Sequence, residues 1–133
     1  MKKIEHIGIA VTDINKSNEL FSKIFGKENY KSETVESEGV TTSFFQIGES
    51  KIELVSATNS ESSISKYLQK NREGMHHISF EVEDIVKEMA RLKAEGIRLL
   101  NDTPKKGADN KLICFLHPKD TNGVLIELCQ EIL

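Results

Sequence analysis

Two histidines and two glutamates recur at matching positions in the two halves of the chain. His6 and His77 each open an apolar, strand-like run, and Glu53 and Glu127 each stand at the centre of an Ile-Glu-Leu tripeptide. Two imidazoles and two carboxylates suit a divalent transition metal of intermediate hardness. Four such ligands in an octahedral site would leave two positions for a substrate that chelates through two oxygens. The sequence therefore predicts a metal site at His6, Glu53, His77 and Glu127, with the metal acting as a Lewis acid on a carbonyl.

The metal assignment depends on this duplication, because a single strand histidine or glutamate is more often a surface residue than a ligand. When the first half is moved forward by 71 positions, His6 falls on His77 and Asp13 falls on Asp84, with apolar residues matching between them. The two Ile-Glu-Leu tripeptides match at an offset of 74. A unit near 70 residues is too long for a solenoid repeat and indicates two copies of one supersecondary module.

Each half shows the order strand, helix and then three strands. The first half predicts strands at 4–11, 30–36, 40–47 and 51–55, and a helix that Thr12 or Asp13 caps and Gly26 ends. The helix is predicted to carry an apolar stripe of Ile14, Leu20, Phe21, Ile24 and Phe25. The second half predicts strands at 76–82, 97–100, 112–117 and 124–129 and a helix at about 84–95. The predicted class is α+β, with one domain at 1–133: module one at about 1–57, a linker and short helix at about 58–74, and module two at about 75–133.

Strand alternation predicts that each of the four candidate ligands lies on the face of its strand opposite the apolar residues. Because successive side chains point to opposite sides of a sheet, His6 shares a face with Gly8 and Ala10, opposite the apolar residues that pack on the helix. His77 shares a face with Ser79 in the same way, and each Glu of the tripeptides stands opposite its Ile and Leu neighbours. The small residues beside the histidines leave room for a bound group.

Composition excludes several classes of function. The chain has 133 residues and a net charge of -3, so we expect no strong attraction to nucleic acid or to an anionic membrane. Its first residues do not form the apolar run of a signal peptide, and no stretch approaches the roughly 20 apolar residues of a membrane span. We expect a cytoplasmic protein. Cys114 and Cys129 lie in apolar runs and are predicted to be buried packing residues.

Several motifs give the chain a family resemblance. The general ones are His-Ile-Gly-Ile-Ala-Val at 6–11 and Met-His-His-Ile at 75–78. The more specific ones are Phe-Leu-His-Pro-Lys at 115–119 and Gly-Val-Leu-Ile-Glu-Leu at 123–128, supported by Ile-Ser-Lys-Tyr-Leu at 64–68 and Lys-Gly-Ala at 106–108. By these motifs the chain resembles the vicinal oxygen chelate (glyoxalase/bleomycin-resistance) superfamily and, within it, the methylmalonyl-CoA epimerase family.

The resemblance implies a fold, a reaction and a cofactor. The fold is two tandem βαβββ modules that form curled mixed sheets around one metal site, with ligands at His6, Glu53, His77 and Glu127. The reaction inverts the methyl-bearing carbon of methylmalonyl-CoA by removing and returning a proton through a stabilised enolate, with Glu127 and Glu53 as the catalytic bases. The cofactor is one divalent metal ion, cobalt first, then nickel, manganese or zinc. The substrate is an acyl-CoA and the expected assembly is a homodimer.

The chain also departs from this family pattern. Some epimerases have an acidic residue where Thr42 stands, and some have Gln where this chain has Glu53, so the identity of the second base is open. Glu38 is a reserve candidate for that base. His76 is interpreted as structural and His117 as a candidate substrate contact. Lys66, Arg72 and Lys119 are candidates for the CoA phosphates, and the pair Lys105 and Lys106 is a local basic cluster that could meet a phosphate.

Two alternatives remain open. Bacterial glyoxalase I is similar in fold and in its ligand set, and the choice against it depends on the two C-terminal motifs. A non-catalytic binding module of the same superfamily is the second alternative, since some relatives sequester drugs without a metal. A ring-cleaving dioxygenase fits less well, because its iron site uses two His and one Glu and Glu53 would fill an open position.

Overall fold

The computed structural model describes residues 1–133 as two compact units. Unit one consists of Met1–His6 and His77–Leu133, and unit two consists of Ile7–His76. Two strands continue from one unit into the other along the chain, namely β1 (Lys3–Ala10) and β5 (Gly74–Glu81). The boundaries predicted for the single domain and its two modules stay a prediction.

Unit two is a helix packed on antiparallel strands. It contains α1 (Ile14–Phe25), β2 (Lys31–Val35), β3 (Val40–Ile47), β4 (Ser50–Ala57) and α2 (Ser63–Lys70). The strands pair in the order β2, β3, β4. α1 begins where the Asp13 carboxylate accepts the backbone N–H groups of Asn15 and Lys16, and it ends at Gly26, which is left-handed at φ +69°. Its core joins Val11, Phe45 and Leu54 to the rings of Phe21 and Phe25.

The predicted apolar stripe of α1 is wrong in part. Phe21 and Phe25 pack into the core of unit two, but Leu20 is 54% exposed and Ile24 is 60% exposed. Each of these two residues precedes a packed phenylalanine by one position, which turns it about 100° around the helix. The contact face of α1 is therefore narrower than the apolar residues in its sequence suggest.

Unit one combines a helix with a mixed sheet. It contains α3 (Ile85–Ala94), β6 (Lys105–Lys106), β7 (Lys111–Phe115) and β8 (Ile126–Glu131). β5 runs parallel to β8, with Ile78 opposite Ile126, while β7 runs antiparallel to β8 and to β6. The core consists of the buried α3 residues packed against apolar residues in the strands or next to them: Val82, Ile85, Met89, Leu92, Cys114, Leu116 and Leu128. Helices on mixed strands confirm the predicted α+β class.

The segment predicted as a strand at 97–100 is not one. Its only ladder contact is a bridge between Leu99 and Leu116. The Asp120 carboxylate accepts both the Arg98 backbone N–H and the guanidinium at 2.9 Å, so a side chain takes the donor that a strand neighbour would otherwise bind. The edge strand beside β7 is the two-residue β6, which is too short for a sequence period to reveal.

None of the three α-helices has both the length and the apolar character of a membrane span.

Gly39 should be intolerant of substitution. Its φ is +64°, and a Cβ there would lie 2.8 Å from the Cβ of Ser62, the residue whose hydroxyl caps α2. We expect Gly39→Ala to lower the free energy of unfolding by roughly 2–4 kcal/mol through backbone strain and a clash. Gly48→Ala is the matched control, because Gly48 has φ +60° with nothing within 4 Å. Urea denaturation of both variants should show a clearly larger loss for Gly39→Ala, and equal losses would mean that Ser62 moves without cost.

Candidate metal centre

Three of the four predicted ligands lie together in unit one. His6 on β1, His77 on β5 and Glu127 on β8 each offer a ligand atom, and these atoms all lie within 4.8 Å of one another. The Nε2 atoms of the two histidines are 3.1 Å apart, and His6 Nε2 is 3.4 Å from Glu127 Oε1. All three residues are buried, with 5–7% of their surface exposed. The cluster is compact enough for one metal ion.

Strand pairing explains how the cluster forms. Ser79, two residues after His77, stands opposite Glu127 across the parallel β5–β8 ladder, and Phe115 stands opposite Glu127 across the β7–β8 ladder. The Phe115 ring also packs edge-to-face on the His77 imidazole, with centroids 6.0 Å apart. On the other side of β8, Ile126 and Leu128 join the core beneath α3. The alternation read from the Ile-Glu-Leu tripeptide therefore holds for Glu127.

The cluster fits a metal ion by two independent observations. Glu127 Oε1 is buried and makes no hydrogen bond, and such an atom is costly unless a cation or donor satisfies it. The donor set, two imidazoles and one carboxylate, is one that divalent transition metals accept. The residues present can thus hold a divalent metal.

Glu53, the fourth predicted ligand, lies on β4 in unit two. It is buried, with 6% of its surface exposed, and stands opposite Phe44 of β3. Its neighbours Ile52 and Leu54 belong to the core of unit two, so Glu53 occupies the predicted face away from α1. Its roles as ligand and base stay predictions.

Thr42 is the residue predicted to align near an acidic residue of some epimerases. It is buried, and its hydroxyl donates to the backbone carbonyl of Glu33 at 3.2 Å. Thr42 and Glu53 share a face of the sheet, because Thr42 is two residues from Phe44, the partner of Glu53. A carboxylate base is therefore absent at Thr42, and Glu53 is a buried carboxylate on the same face.

The other residues singled out from the sequence occupy simpler environments. The half-buried His76 packs edge-to-face on the Tyr67 ring, with centroids 4.8 Å apart, which suits a structural role. His117 caps the short turn at Pro118–Asp120 by accepting the Lys119 N–H at Nδ1, 3.2 Å away. Glu38 is half-buried in the turn at Glu36–Glu38. The remaining candidates are exposed basic residues that could meet phosphates: Lys66, Arg72, Lys105, Lys106 and Lys119.

Sequence reasoning missed Glu5. This residue is only 2% exposed, and its Oε1 lies 2.8 Å from His6 Nδ1. Strand alternation normally separates adjacent side chains, so Glu5 had no reason to be grouped with His6. The one available signal was a charged residue placed directly before a predicted ligand in an otherwise apolar strand.

The two cysteines are not part of the site. Both are free and buried, as predicted. Burial raises the pKa of the Cys114 thiol to about 11 and that of the Cys129 thiol to about 12. Both are protonated at neutral pH, so neither is an activated nucleophile.

The sequence of the chain matches a known superfamily. Residues 5–115 match the family described as the Glyoxalase/Bleomycin resistance protein/Dioxygenase superfamily, and the chain belongs to it. The resemblance read from the histidine motifs is thus confirmed.

Within that superfamily the chain is similar to several epimerases. The ethylmalonyl-CoA/methylmalonyl-CoA epimerase of Cereibacter sphaeroides is 40% identical, over 96% of this chain and 97% of that protein. A methylmalonyl-CoA epimerase variant of Streptomyces coelicolor, solved in complex with 2-nitronate-propionyl-CoA, is 36% identical with a TM-score of 0.96, over 100% of this chain and 99% of the other. The uncharacterised protein YqjC of Bacillus subtilis is 35% identical, over 98% of this chain and 93% of its own length.

Proposed function

We propose that this protein is a metal-dependent epimerase that interconverts the two stereoisomers of methylmalonyl-CoA. The observation that carries the proposal is the buried cluster of His6, His77 and Glu127, in a chain that resembles named epimerases over nearly its whole length. Glu53 is the proposed fourth ligand. Cobalt is the proposed metal, with nickel, manganese and zinc as substitutes that the same donors could accept.

The proton that the reaction removes is only weakly acidic. The carbon between the thioester and the carboxylate loses its proton only if the resulting negative charge is stabilised. When bound, the metal supplies Lewis-acid stabilisation of the charge that develops on the substrate oxygens. The chain itself supplies the groups that hold the metal, exclude water and move the proton.

Inversion needs a proton acceptor on one side of the planar enolate and a donor on the other. Glu127 is the first proposed base, because its Oε1 is buried, makes no hydrogen bond and is therefore available to a proton. Glu53 is the second proposed base. It is a buried carboxylate, and it lies on the same sheet face as Thr42, whose hydroxyl cannot replace a carboxylate base. Each would alternate between base and acid as the substrate turns over.

Substitutions at Glu53 separate the two roles assigned to it. Glutamine retains an oxygen ligand but cannot accept a proton, whereas alanine removes both functions. We expect Glu53→Gln to retain cobalt but lose about 10²–10⁴-fold in turnover, and Glu53→Ala to lose cobalt affinity as well. Epimerisation rates and cobalt titration would be measured side by side. Glu38→Gln is the control, and a large loss of turnover there with Glu53→Gln active would reassign the second base to Glu38.

Proton exchange tests the proposed function directly. The protein is stripped with chelator and reloaded with cobalt, and deuterium uptake from heavy water into one stereoisomer of methylmalonyl-CoA is followed. The glutathione hemithioacetal of methylglyoxal is run in parallel. We expect cobalt-dependent deuterium uptake with loss of stereochemical purity, and no reaction of the hemithioacetal.

The other outcomes reject the proposal in different ways. Thioester formation from the hemithioacetal alone would make the protein a glyoxalase. No reaction with either substrate, with cobalt still bound, would favour a binding module. The basic residues proposed for the CoA phosphates, the homodimer and the cytoplasmic location stay predictions.

A further inference from the structure

Glu5 is a buried carboxylate that the proposed reaction does not use. Its side chain is 2% exposed, and Oε1 lies 2.8 Å from Nδ1 of the His6 ring. Burying a carboxylate costs several kcal/mol unless a partner compensates it. Its contact with His6 is therefore a feature that the structure maintains at a cost.

The contact determines which nitrogen of His6 carries a proton. A carboxylate oxygen only accepts hydrogen bonds, so Nδ1 is the donor and holds the proton. The other nitrogen, Nε2, lies 3.1 Å from His77 Nε2 and 3.4 Å from Glu127 Oε1. Since Nδ1 and Nε2 are at different positions of the ring, Glu5 engages the side of His6 that is not turned toward the cluster.

We infer that Glu5 is a positioning residue that holds His6 ready to bind metal through Nε2. It fixes the tautomer, with the proton on Nδ1, and it fixes the orientation of the ring. Carboxylates that accept the second N–H of a ligating histidine also make the imidazole a stronger ligand. This inference rests on the proposed metal-dependent function and assigns Glu5 no contact with substrate.

Three variants test the assignment. Glu5→Ala removes the acceptor, and Glu5→Gln retains an amide oxygen that can still accept the Nδ1 proton. Glu131→Ala is the control, because Glu131 is an exposed glutamate on β8 in the same unit. Cobalt dissociation constants are measured by competition with a chelator in the absence of substrate. The tautomer of His6 is read from the ¹⁵N shifts of its ring in the metal-free protein, at a pH where the ring is neutral.

We expect Glu5→Ala to bind cobalt roughly 10- to 100-fold more weakly. Glu5→Gln should recover most of that affinity, and Glu131→Ala should match the wild type. The wild-type ring should carry its proton on Nδ1, and Glu5→Ala should show a mixture of tautomers.

Two results would overturn the inference. One is wild-type cobalt affinity in a folded Glu5→Ala protein, and the other is a wild-type His6 that carries its proton on Nε2. If the wild type takes up no cobalt, the proposed metal dependence is rejected. The tautomer measurement still decides the role of Glu5 in that case. If Glu5→Ala does not fold, the ¹⁵N shifts of the His6 ring in the wild type decide the role of Glu5, because that measurement needs no variant.

Discussion

Glu127→Gln should abolish turnover and leave the fold intact. Glutamine has the shape of glutamate but no basic oxygen and no negative charge for the metal. General acid–base catalysis is worth about 10²–10⁴-fold, and the lost charge beside the metal adds to that, so we expect a loss of at least about 10³-fold. The fold should persist because Glu127 Oε1 makes no hydrogen bond that the substitution would break. Deuterium exchange and thermal unfolding, measured on the same preparation, check both parts.

The matched control is Glu131→Gln, which changes an exposed carboxylate on the same strand, β8. It should retain wild-type activity and stability. Near-full activity in Glu127→Gln would remove this residue from the mechanism, even if the protein remains an epimerase. A large drop in thermal stability would mean instead that the buried charge supports the fold through His6.

Removal of the metal should have the second-largest effect. We expect chelator treatment to eliminate epimerisation and cobalt to restore it. Cobalt should also stabilise the folded protein, since a ligand at 100 times its Kd adds about 2.7 kcal/mol to the free energy of unfolding. Thermal unfolding with and without cobalt measures this without reference to catalysis.

His77→Ala is the variant to compare. It removes one of the two clustered Nε2 atoms proposed to bind the metal. Cobalt should then bind weakly and barely change the unfolding midpoint of this variant. Elemental analysis of each preparation links activity to metal content. Full activity in protein shown to be free of metal would refute the metal requirement, and an equal cobalt shift in His77→Ala would place the metal elsewhere.

The residues of the cluster could be predicted from sequence because two signals agreed on them. Alternation assigned His77 and Glu127 to faces away from the helices, and the internal duplication related His6 to His77. Each of the three then proved to be buried beside the others. The element order of both halves was predictable for the same reason, since apolar periods and caps such as Asp13 are local in sequence.

What could not be predicted depends on contacts with residues distant in sequence. The segment around Arg98 has a strand-like composition, but the carboxylate of Asp120 binds its backbone N–H. Leu20 and Ile24 are apolar, but the two phenylalanines fill the contact face of α1. Glu5 breaks the alternation rule by reaching the ring of its own neighbour. In each case the local structure depends on a side-chain contact, and the spacing of apolar residues in the sequence does not indicate that contact.

The division of the chain into units has a consequence for the order of folding. Unit two is one continuous segment, Ile7–His76, whereas unit one joins the first six residues to everything after His76. During synthesis, unit two can form as soon as its own residues have emerged, but unit one must wait for the last strand, β8. Since His6, His77 and Glu127 all belong to unit one, we expect the metal-binding cluster to be the last part of the molecule to assemble.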